Sequence, residues 1–245
     1  MPIIYLSPST QESNPYVTGT GSEEYWMNQV ADAMIPYLNS SGIRYTRNTP
    51  DMTAGSSIRQ ANQGYYDFYL ALHSNAAGPG NYGNVRGIIA FYYPGSTQGQ
   101  RAAQIFVNNL RTIYPEPSKV VTRSTTTLGE VRDPKFPAVL IEIGYHDNYD
   151  DARWIENNIT EIARNLVVSL TDYFDIPFIW PIDPWTGTVR VGSGTLNLRS
   201  RPEASATVIA NIPNGAQVQV YGQYEDWYVV HYGYYVGYAA ARFIS

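Results

Sequence analysis

The strongest constraint on the fold is a change of sequence pattern at Pro177. Before it, short apolar runs alternate with stretches in which apolar residues recur every three or four positions. After it, only short strand-like runs separated by Gly, Asn or Pro remain. A chain of 245 residues is long enough for two domains. We therefore expect an α/β domain over residues 1–176, a linker rich in Pro and Trp over 177–187 and a small all-β domain over 188–245.

The first part of the chain has the pattern of an open, largely parallel sheet with helices on both faces. Its predicted strands are Ile3–Leu6, Ile43–Thr46, Phe68–His73, Ile88–Tyr92 and Ala138–Ile143. Apolar stripes at helical spacing predict helices over residues 26–38, 105–113 and 159–174. Pro36 predicts a kink or an early end in the first helix, and Gly42 predicts its stop.

The last part has the pattern of a small, partly open β-barrel. Six short strands are predicted: Thr188–Val191, Leu196–Arg199, Thr207–Ile212, Gln217–Tyr221, Trp227–His231 and Tyr235–Ala239.

Composition excludes several classes of function. The net charge of −5 argues against a nucleic-acid partner, which needs a basic surface. There is no cysteine, so a metal site must be built from His and carboxylate side chains. No apolar run reaches the roughly 18 residues of a membrane span. Met1-Pro2 leads directly into the first predicted strand, so the sequence predicts no signal peptide.

Two polar side chains stand out within the apolar strands. His73 ends one strand, and the carboxyl ends of strands are where open α/β sheets bind ligands. Glu142 lies inside the apolar run Ala138–Ile143, where a carboxylate needs a cation, a metal or a raised pKa. Taken singly, His73 could simply bond to backbone and Glu142 could belong to a structural ion pair. Glu23 and Glu24 open the first helix, where either could serve only as a capping charge.

Together these residues predict a catalytic metal site. The order of elements brings His73, Glu142 and an acid at the helix start to one edge of the sheet. A His with carboxylates and an open coordination position is what catalytic zinc requires. Zinc polarises an amide carbonyl and acidifies water, while a free carboxylate carries the proton.

Over residues 2–175 the chain resembles the zinc-dependent N-acetylmuramoyl-L-alanine amidases of the amidase-3 type. The similar blocks, in the family's order, are Glu24–Asn28, Arg59–Asn62, Asp67–Asn75 and Pro137–Asn148. The resemblance implies that Glu24 and His73 hold zinc and that Glu142 is the catalytic acid/base. Glu24 is preferred to Glu23 because Asn28 follows it at the family's spacing.

The same resemblance implies that Asn75 and Arg59 contact the substrate. One element departs from the family, whose first strand ends in Asp-Pro-Gly-His-Gly-Gly where this chain has Ser7–Glu12. Thr10 stands where the first zinc His belongs. Three outcomes are open: Gln11 or Thr10 completes a weaker site, His146 substitutes, or the metal is lost.

Residues 187–245 resemble the bacterial SH3-like domain. The blocks that carry the resemblance are Leu196–Pro202, Ile212–Gly215, Val218–Val220, Trp227–Val230 and Gly237–Ala239. Such domains bind peptidoglycan peptides and bridges. The resemblance implies Trp227, Tyr228 and Tyr234 as wall-binding residues, with Tyr235 and Tyr238 as further candidates, several of which must instead fill the barrel core.

The two resemblances together predict an endolysin-like or autolysin-like hydrolase. It would act on the peptidoglycan glycan strand and stem peptide, cleaving the amide between N-acetylmuramic acid and L-alanine. A weak wall binder linked to an enzyme raises the enzyme's effective concentration on an insoluble polymer. We expect release by lysis, as for a phage endolysin, or secretion by another route. The alternatives are a non-catalytic wall-binding protein and a zinc peptidase acting on a stem-peptide amide.

Overall fold

A computed structural model describes residues 1–245, and the chain divides into two compact units. The larger unit comprises residues 3–34 and 45–173. The smaller comprises residues 1–2, 35–44 and 174–245. No helix has both the length and the apolar character needed to cross a membrane.

The larger unit is built on a six-stranded mixed sheet, which confirms the α/β class. The strands are β1 (Ile3–Pro8), β2 (Arg44–Arg47), β3 (Phe68–Asn75), β4 (Ile88–Tyr92), β5 (Val120–Ser124) and β6 (Ala138–Tyr145). The helices are α1 (Glu23–Ser40), α2 (Ala54–Gln63), α3 (Thr97–Leu110), α4 (Gly129–Arg132), α5 (Tyr149–Asn157) and α6 (Ile159–Phe174), of which α1 belongs to the smaller unit from Ile35 onward. The strand order is β2-β1-β3-β6-β4-β5; the pairs β1/β3, β3/β6 and β4/β5 are parallel, and the pair β4/β6 is antiparallel.

The centre of this sheet is the parallel pair β3 and β6. Almost every residue of both strands is buried, as their unbroken apolar runs predict. His73 on β3 is the register partner of Glu142 on β6. Side chains of register partners project from the same face of a sheet. The pairing therefore sets these two polar side chains next to each other on one face, near the carboxyl ends of their strands.

The first helix does not end at Pro36. It continues to Ser40, and the chain then turns at Gly42, whose φ is +73°. A residue after a helix commonly adopts this left-handed conformation, which glycine reaches without strain. The predicted stop at Gly42 is confirmed, and the predicted early end at Pro36 is wrong.

The smaller unit contains a six-stranded antiparallel sheet with the order β7-β10-β11-β12-β8-β9. Its strands are β7 (Trp185–Thr188), β8 (Thr195–Arg199), β9 (Val208–Pro213), β10 (Gln217–Tyr224), β11 (Trp227–Tyr232) and β12 (Tyr235–Ala240). Six strands were expected and six form. The first lies earlier than expected, because Trp185 rather than Val191 pairs with β10.

The segment expected to be a linker is packed in part within the smaller unit: Ile179 and Gly187 are buried, whereas Trp180 and Ile182 are exposed. Ile179 is buried and joins an apolar cluster with Val229, Val236 and Tyr238. Its carbonyl accepts a hydrogen bond from the hydroxyl of Ser40 at 2.6 Å. Prolines exclude a helix here, but they do not prevent an extended segment from packing.

His231 of the smaller unit is half-buried and not the surface residue that its strand position suggests. Its ring lies 4.2 Å from the ring of Tyr221, and its enclosed Nε2 has no hydrogen-bond partner. Burial, together with the positive charge of Arg44, lowers the pKa of His231 to about 4.

This lowered pKa predicts acid sensitivity. Because the unfolded His binds a proton at about pH 6.5, stability is lost as pH falls from there toward the folded pKa. Between pH 7 and pH 5 the loss should be about 2 kcal/mol. His231→Gln should remove that part of the pH dependence in urea unfolding. Equal pH dependence in the two proteins would contradict the assignment.

Candidate active site

His73 lies between two buried carboxylates. Its Nδ1 is 2.8 Å from Oε1 of Glu23, and its Nε2 is 2.8 Å from Oε2 of Glu130. All three side chains are nearly enclosed, with exposed fractions of 8%, 1% and 5% for His73, Glu23 and Glu130. The imidazole therefore joins the start of α1 to the start of α4 across the end of β3.

The electrostatics of this cluster favour a charged imidazole. Burial alone would lower the pKa of His73, but hydrogen bonds to Glu130 and Glu23 outweigh it and raise that pKa well above the usual value. Burial would raise the pKa of each carboxyl, but bonding to His73 lowers both. With Nε2–H donated to Glu130, Nδ1 can face a carboxylate oxygen only if a proton or another cation lies between them. A proton on Nδ1 therefore lies between His73 and Glu23, which form an ion pair. Another cation would have to replace this proton, and the position is called the cation site.

Gln11 is the third side chain at this position. Its Nε2 lies 3.3 Å from Nδ1 of His73 and donates to Oε1 of Glu23 at 3.3 Å. Thr10 lines the adjacent cavity and has no hydrogen bond to either residue. Of the two residues proposed to replace the missing first His, only Gln11 reaches the imidazole.

Glu23 occupies the place expected for Glu24. Glu24 has no contact with His73 and lines a separate cavity that also contains Glu12 and Arg47. Burial and the charge of Glu12 raise the pKa of Glu24. Consecutive helix residues point about 100° apart, so a one-residue error in the phase of α1 moves the carboxylate out of the site.

Glu142 lies beside His73 in the sheet, and its side chain has no hydrogen-bond partner. Its Oε2 is enclosed and unpaired. Burial raises the pKa of Glu142 to about 7, the negative charges of Glu23 and Glu130 act in the same direction, and the charge of His73 opposes them. A carboxyl group with this pKa exists in both protonation states near neutral pH.

The other predicted site residues lie away from the imidazole. His146 is buried, stacks on Tyr16 and bonds through Nδ1 to the Ser74 carbonyl at 2.8 Å. No hydrogen bond joins it to His73 or Glu23. Arg59 is exposed on α2 and does not line the cavity beside His73. Asn75 ends β3, and its side chain accepts a bond from the next backbone N–H at 2.8 Å.

A cavity of about 490 Å³ opens beside the cluster. It is lined by the loop after β1, by the residues before and at the start of α2, and by His73 and Glu130. Glu130 was not anticipated from the sequence. It lies in a four-residue helix, too short for a periodic signal, and meets His73 across 57 positions of the chain. In the sequence, the one signal for Glu130 is that an acidic residue stands between the apolar residues Leu128 and Val131.

The aromatic residues predicted to bind the wall differ in their burial and packing within the smaller unit. Trp227 is half-buried and lines a cavity of about 710 Å³ together with Asn197, Arg242 and Phe243. The Tyr228 ring packs edge-on against Trp185 at 5.6 Å, beside the barrel core. The remaining tyrosines range from exposed to buried: Tyr234 is 90% exposed, Tyr235 51% and Tyr238 0%.

Comparison with known proteins agrees with this architecture. The profile of the family described as N-acetylmuramoyl-L-alanine amidase matches residues 4–172, and that of the bacterial SH3 domain matches residues 194–245. No curated protein matches the chain.

Several solved amidase structures share the fold. The N-acetylmuramoyl-L-alanine amidase AmiC2 of Nostoc punctiforme is 15% identical, with a TM-score of 0.63 over 71% of this chain and 97% of that one. The catalytic domain of the amidase CwlV from Bacillus (Paenibacillus) polymyxa is 15% identical, with a TM-score of 0.63 over 72% and 100%. The catalytic domain of an endolysin targeting Clostridia difficile is 19% identical, with a TM-score of 0.58 over 70% and 98%. At these identities the likeness concerns the fold, whereas the family profile covers more than half of the chain: the protein belongs to the N-acetylmuramoyl-L-alanine amidase family.

Proposed function

We propose that this peptidoglycan amidase hydrolyses the bond between N-acetylmuramic acid and L-alanine at the His73 cluster, with Glu142 as the general acid/base. The observation that carries the proposal is the enclosed, unpaired Oε2 of Glu142 beside the register partner His73. A general acid/base works best when its pKa lies near the operating pH. The pKa of about 7 lets Glu142 accept a proton from the attacking water and return it to the leaving amine.

We propose that Glu23, His73 and Gln11 would hold a zinc ion at the cation site. The His, Asp and Glu side chains alone form no group of three that could hold a metal. With Gln11 included, three donor groups lie 2.8, 3.3 and 3.3 Å apart. Tetrahedral zinc at its usual bond lengths separates ligand atoms by about 3.3 Å. The Gln11 atom at these distances is the amide nitrogen; a half-turn of the amide would present oxygen, a weaker zinc ligand than imidazole, and would break the hydrogen bond that Oε1 accepts from Asn14 at 3.2 Å.

Each residue then has a defined task. When bound, zinc would act as a Lewis acid toward the amide carbonyl and the attacking water. Glu23 supplies the negative charge that holds the cation. His73 gives up its Nδ1 proton when the metal binds, so affinity should rise with pH. Gln11 would be the third ligand. The side chain of Glu142 bonds to none of these residues, so its carboxylate remains available for proton transfer.

Metal analysis tests this assignment. Purified protein should contain close to one zinc per chain, and dialysis against a chelator should remove both the metal and the hydrolysis of purified walls. Zinc added back should restore both. Full hydrolysis by metal-free protein would contradict the metal site. Absence of both zinc and hydrolysis would support the alternative of a non-catalytic wall-binding protein.

Substituting Glu23 and Glu24 one at a time tests which of the two acids binds zinc. Glu23→Gln removes the negative charge facing Nδ1 and should lower zinc affinity by more than the roughly 10- to 100-fold that the loss of an outer partner of a ligand costs. Glu24→Gln is the matched control, because that side chain lies outside the cluster, and it should bind zinc like the wild type. Isothermal titration of both variants decides the question. The reverse pattern would restore the assignment based on family spacing.

We further propose that the smaller unit binds the wall through Trp227 and, more weakly, through the exposed Tyr234. Trp227→Ala removes an aromatic wall of the 710 Å³ cavity and should weaken binding to purified peptidoglycan about tenfold, as for a central interface residue. Tyr234→Ala should weaken it less. Tyr228→Ala should instead lower the melting temperature, because its ring packs on Trp185. Unchanged pull-down of Trp227→Ala by walls would move the binding surface elsewhere.

An enzyme with this substrate acts on the cell wall. We propose that it reaches the wall after cell lysis or by secretion, in the manner of an endolysin or autolysin. Cleavage at a stem-peptide amide would use the same residues, and product analysis separates the two bonds.

A further inference from the structure

A second cavity of the larger unit, with a volume of about 310 Å³, is lined by three basic side chains and by no acidic one. Its lining consists of residues 84–87, which include Arg86, and of Ile89, Lys119, Val121, Arg123 and Tyr145. We call it the basic cavity. The 490 Å³ cavity beside His73 has the opposite character, because two acids line it. The charge of the basic cavity favours an anionic ligand.

Strand register places the basic cavity next to Glu142. On β6, Glu142 pairs with His73 of β3 on one side and with Ile89 of β4 on the other. Ile89 in turn pairs with Val121 of β5. Side chains of register partners project from the same face of a sheet, so these four residues form one row. His73 lines the 490 Å³ cavity, whereas Ile89 and Val121 line the basic cavity. Glu142 therefore stands in the row between the two cavities.

Of the three cations in the basic cavity, Arg123 is the one without a partner. Arg86 forms ion pairs of 3.0, 3.0 and 3.3 Å with three acids: Glu116, Asp150 and Asp151. Lys119 shares the first of these acids at 2.9 Å. Arg123 is exposed on β5 and forms no ion pair and no hydrogen bond. Its guanidinium is therefore available to an anion.

Tyr145 adds a hydroxyl group to the same lining. Burial raises the pKa of Tyr145, and the positive charge of Arg123 opposes this effect. The phenol consequently keeps its proton at neutral pH and can donate a hydrogen bond. A guanidinium donates two parallel N–H bonds, a geometry that matches the two oxygens of a carboxylate. Together the two side chains form a donor set suited to a carboxylate.

The proposed substrate carries a carboxyl group at a matching distance from the cleaved bond. The stem peptide continues from L-alanine to a glutamate, whose α-carboxyl group is free or amidated. Two extended residues span about 7 Å. Neighbouring strands lie about 4.8 Å apart, so the basic cavity extends from about 5 Å to about 10 Å from Glu142. A carboxylate on the second stem residue therefore falls within the basic cavity when the cleaved amide lies at Glu142.

We propose that the basic cavity is a subsite for the α-carboxylate of the second stem residue, and that Arg123 determines the preference for a free carboxylate over an amide. The inference rests on the proposed cleavage at Glu142 and is independent of metal binding at His73. It assigns the strands β4 and β5 to recognition of the stem peptide.

Two soluble N-acetylmuramoyl tripeptides test the subsite, one with a free and one with an amidated α-carboxyl group on the second residue. Wild-type kcat/KM should be about tenfold higher for the carboxylate, near the lower end for a hydrogen bond to a charged group. Arg123→Gln should bring this ratio close to one by slowing cleavage of the carboxylate form alone. Arg123→Lys keeps the charge without the paired N–H groups and should give an intermediate ratio.

Two further variants serve as controls. Arg153→Gln changes an exposed arginine on α5 that does not line the basic cavity, and it should keep the wild-type ratio. Tyr145→Phe removes only the hydroxyl and should lower the ratio less than Arg123→Gln. Because Arg123 is exposed and unpaired, Arg123→Gln should have the melting temperature of the wild type.

A second readout does not depend on hydrolysis. The free stem tripeptide, in its carboxylate and amide forms, is titrated into the full chain by calorimetry. The wild type should bind the carboxylate form about tenfold more tightly, again as expected for a charged hydrogen bond. Arg123→Gln should bind both forms equally.

The outcomes separate this inference from the proposed function. If the wild type does not cleave the muramoyl amide, the proposed function fails, and the titration still decides whether the basic cavity recognises the carboxylate. A wild type that cleaves and binds both forms equally would refute the subsite. A folded Arg123→Gln variant that keeps the wild-type preference would refute the role of Arg123.

Discussion

Glu142→Gln should lower the rate of wall hydrolysis by about 10²- to 10⁴-fold, the usual contribution of a general acid/base. The amide has nearly the same shape but cannot accept and return a proton. Because Oε2 of Glu142 has no partner, the substitution breaks no hydrogen bond of that oxygen. The melting temperature should therefore be unchanged or higher. Turbidity loss of a wall suspension, followed together with thermal unfolding, measures both effects.

The pH dependence of hydrolysis provides the control for the predicted role of Glu142. Glu142 must be ionised to take a proton from water, and its pKa is about 7. This value holds without a metal, and bound zinc would lower it. Wild-type kcat/KM should therefore fall as pH decreases through a pKa below about 7, and the residual activity of Glu142→Gln should lack this step. A variant that is as active as the wild type at pH 7, or one that retains the same pH profile, would remove Glu142 from the reaction.

His73→Ala should destabilise the metal-free protein by about 3–5 kcal/mol at pH 7, as expected when one partner of a buried ion pair is removed. It leaves the carboxylates of Glu23 and Glu130 buried without the cation that they share. In the wild type their pKa values are lowered, so their contribution is present at neutral pH and is lost as pH falls through those values. In the variant the unpaired carboxyls should titrate at higher pH.

The deficit of His73→Ala should consequently shrink between pH 7 and pH 5, as protonation neutralises the two acids. Urea unfolding at both pH values measures this change. Adding Glu130→Gln to His73→Ala removes one buried charge and should recover part of the loss at pH 7. A deficit below about 1 kcal/mol, typical of an exposed ion pair, would show that the cluster is more hydrated than its burial indicates.

The helices and strands that can be predicted from the sequence are those with a clear local pattern of apolar residues. The strands β3 and β6 are unbroken apolar runs, and α6 (Ile159–Phe174) carries a complete apolar stripe. His73 and Glu142 are also visible in the sequence, because each is a polar side chain in or at the end of such a run. These two residues meet through strand register, whereas the α/β pattern predicts only that both lie at the same edge of the sheet.

The remainder of the cluster depends on tertiary structure. Adjacent acids at a helix start differ only in helical phase, so spacing cannot distinguish Glu23 from Glu24. Glu130 reaches the imidazole because α4 packs on the sheet through Val131, a contact between distant segments. The same limit applies to Ile179, because an extended segment rich in proline has the same local pattern whether it is packed or exposed.

Mass spectrometry of the soluble products from purified walls tests the central claim most directly. An amidase acting at the His73 cluster releases stem peptides with a free L-alanine amino terminus and leaves glycan strands with unsubstituted lactyl groups. Glu142→Gln, assayed at the same concentration, should release almost none. Products that still join N-acetylmuramic acid to L-alanine, whether cut within the stem peptide or within the glycan strand, would contradict the account.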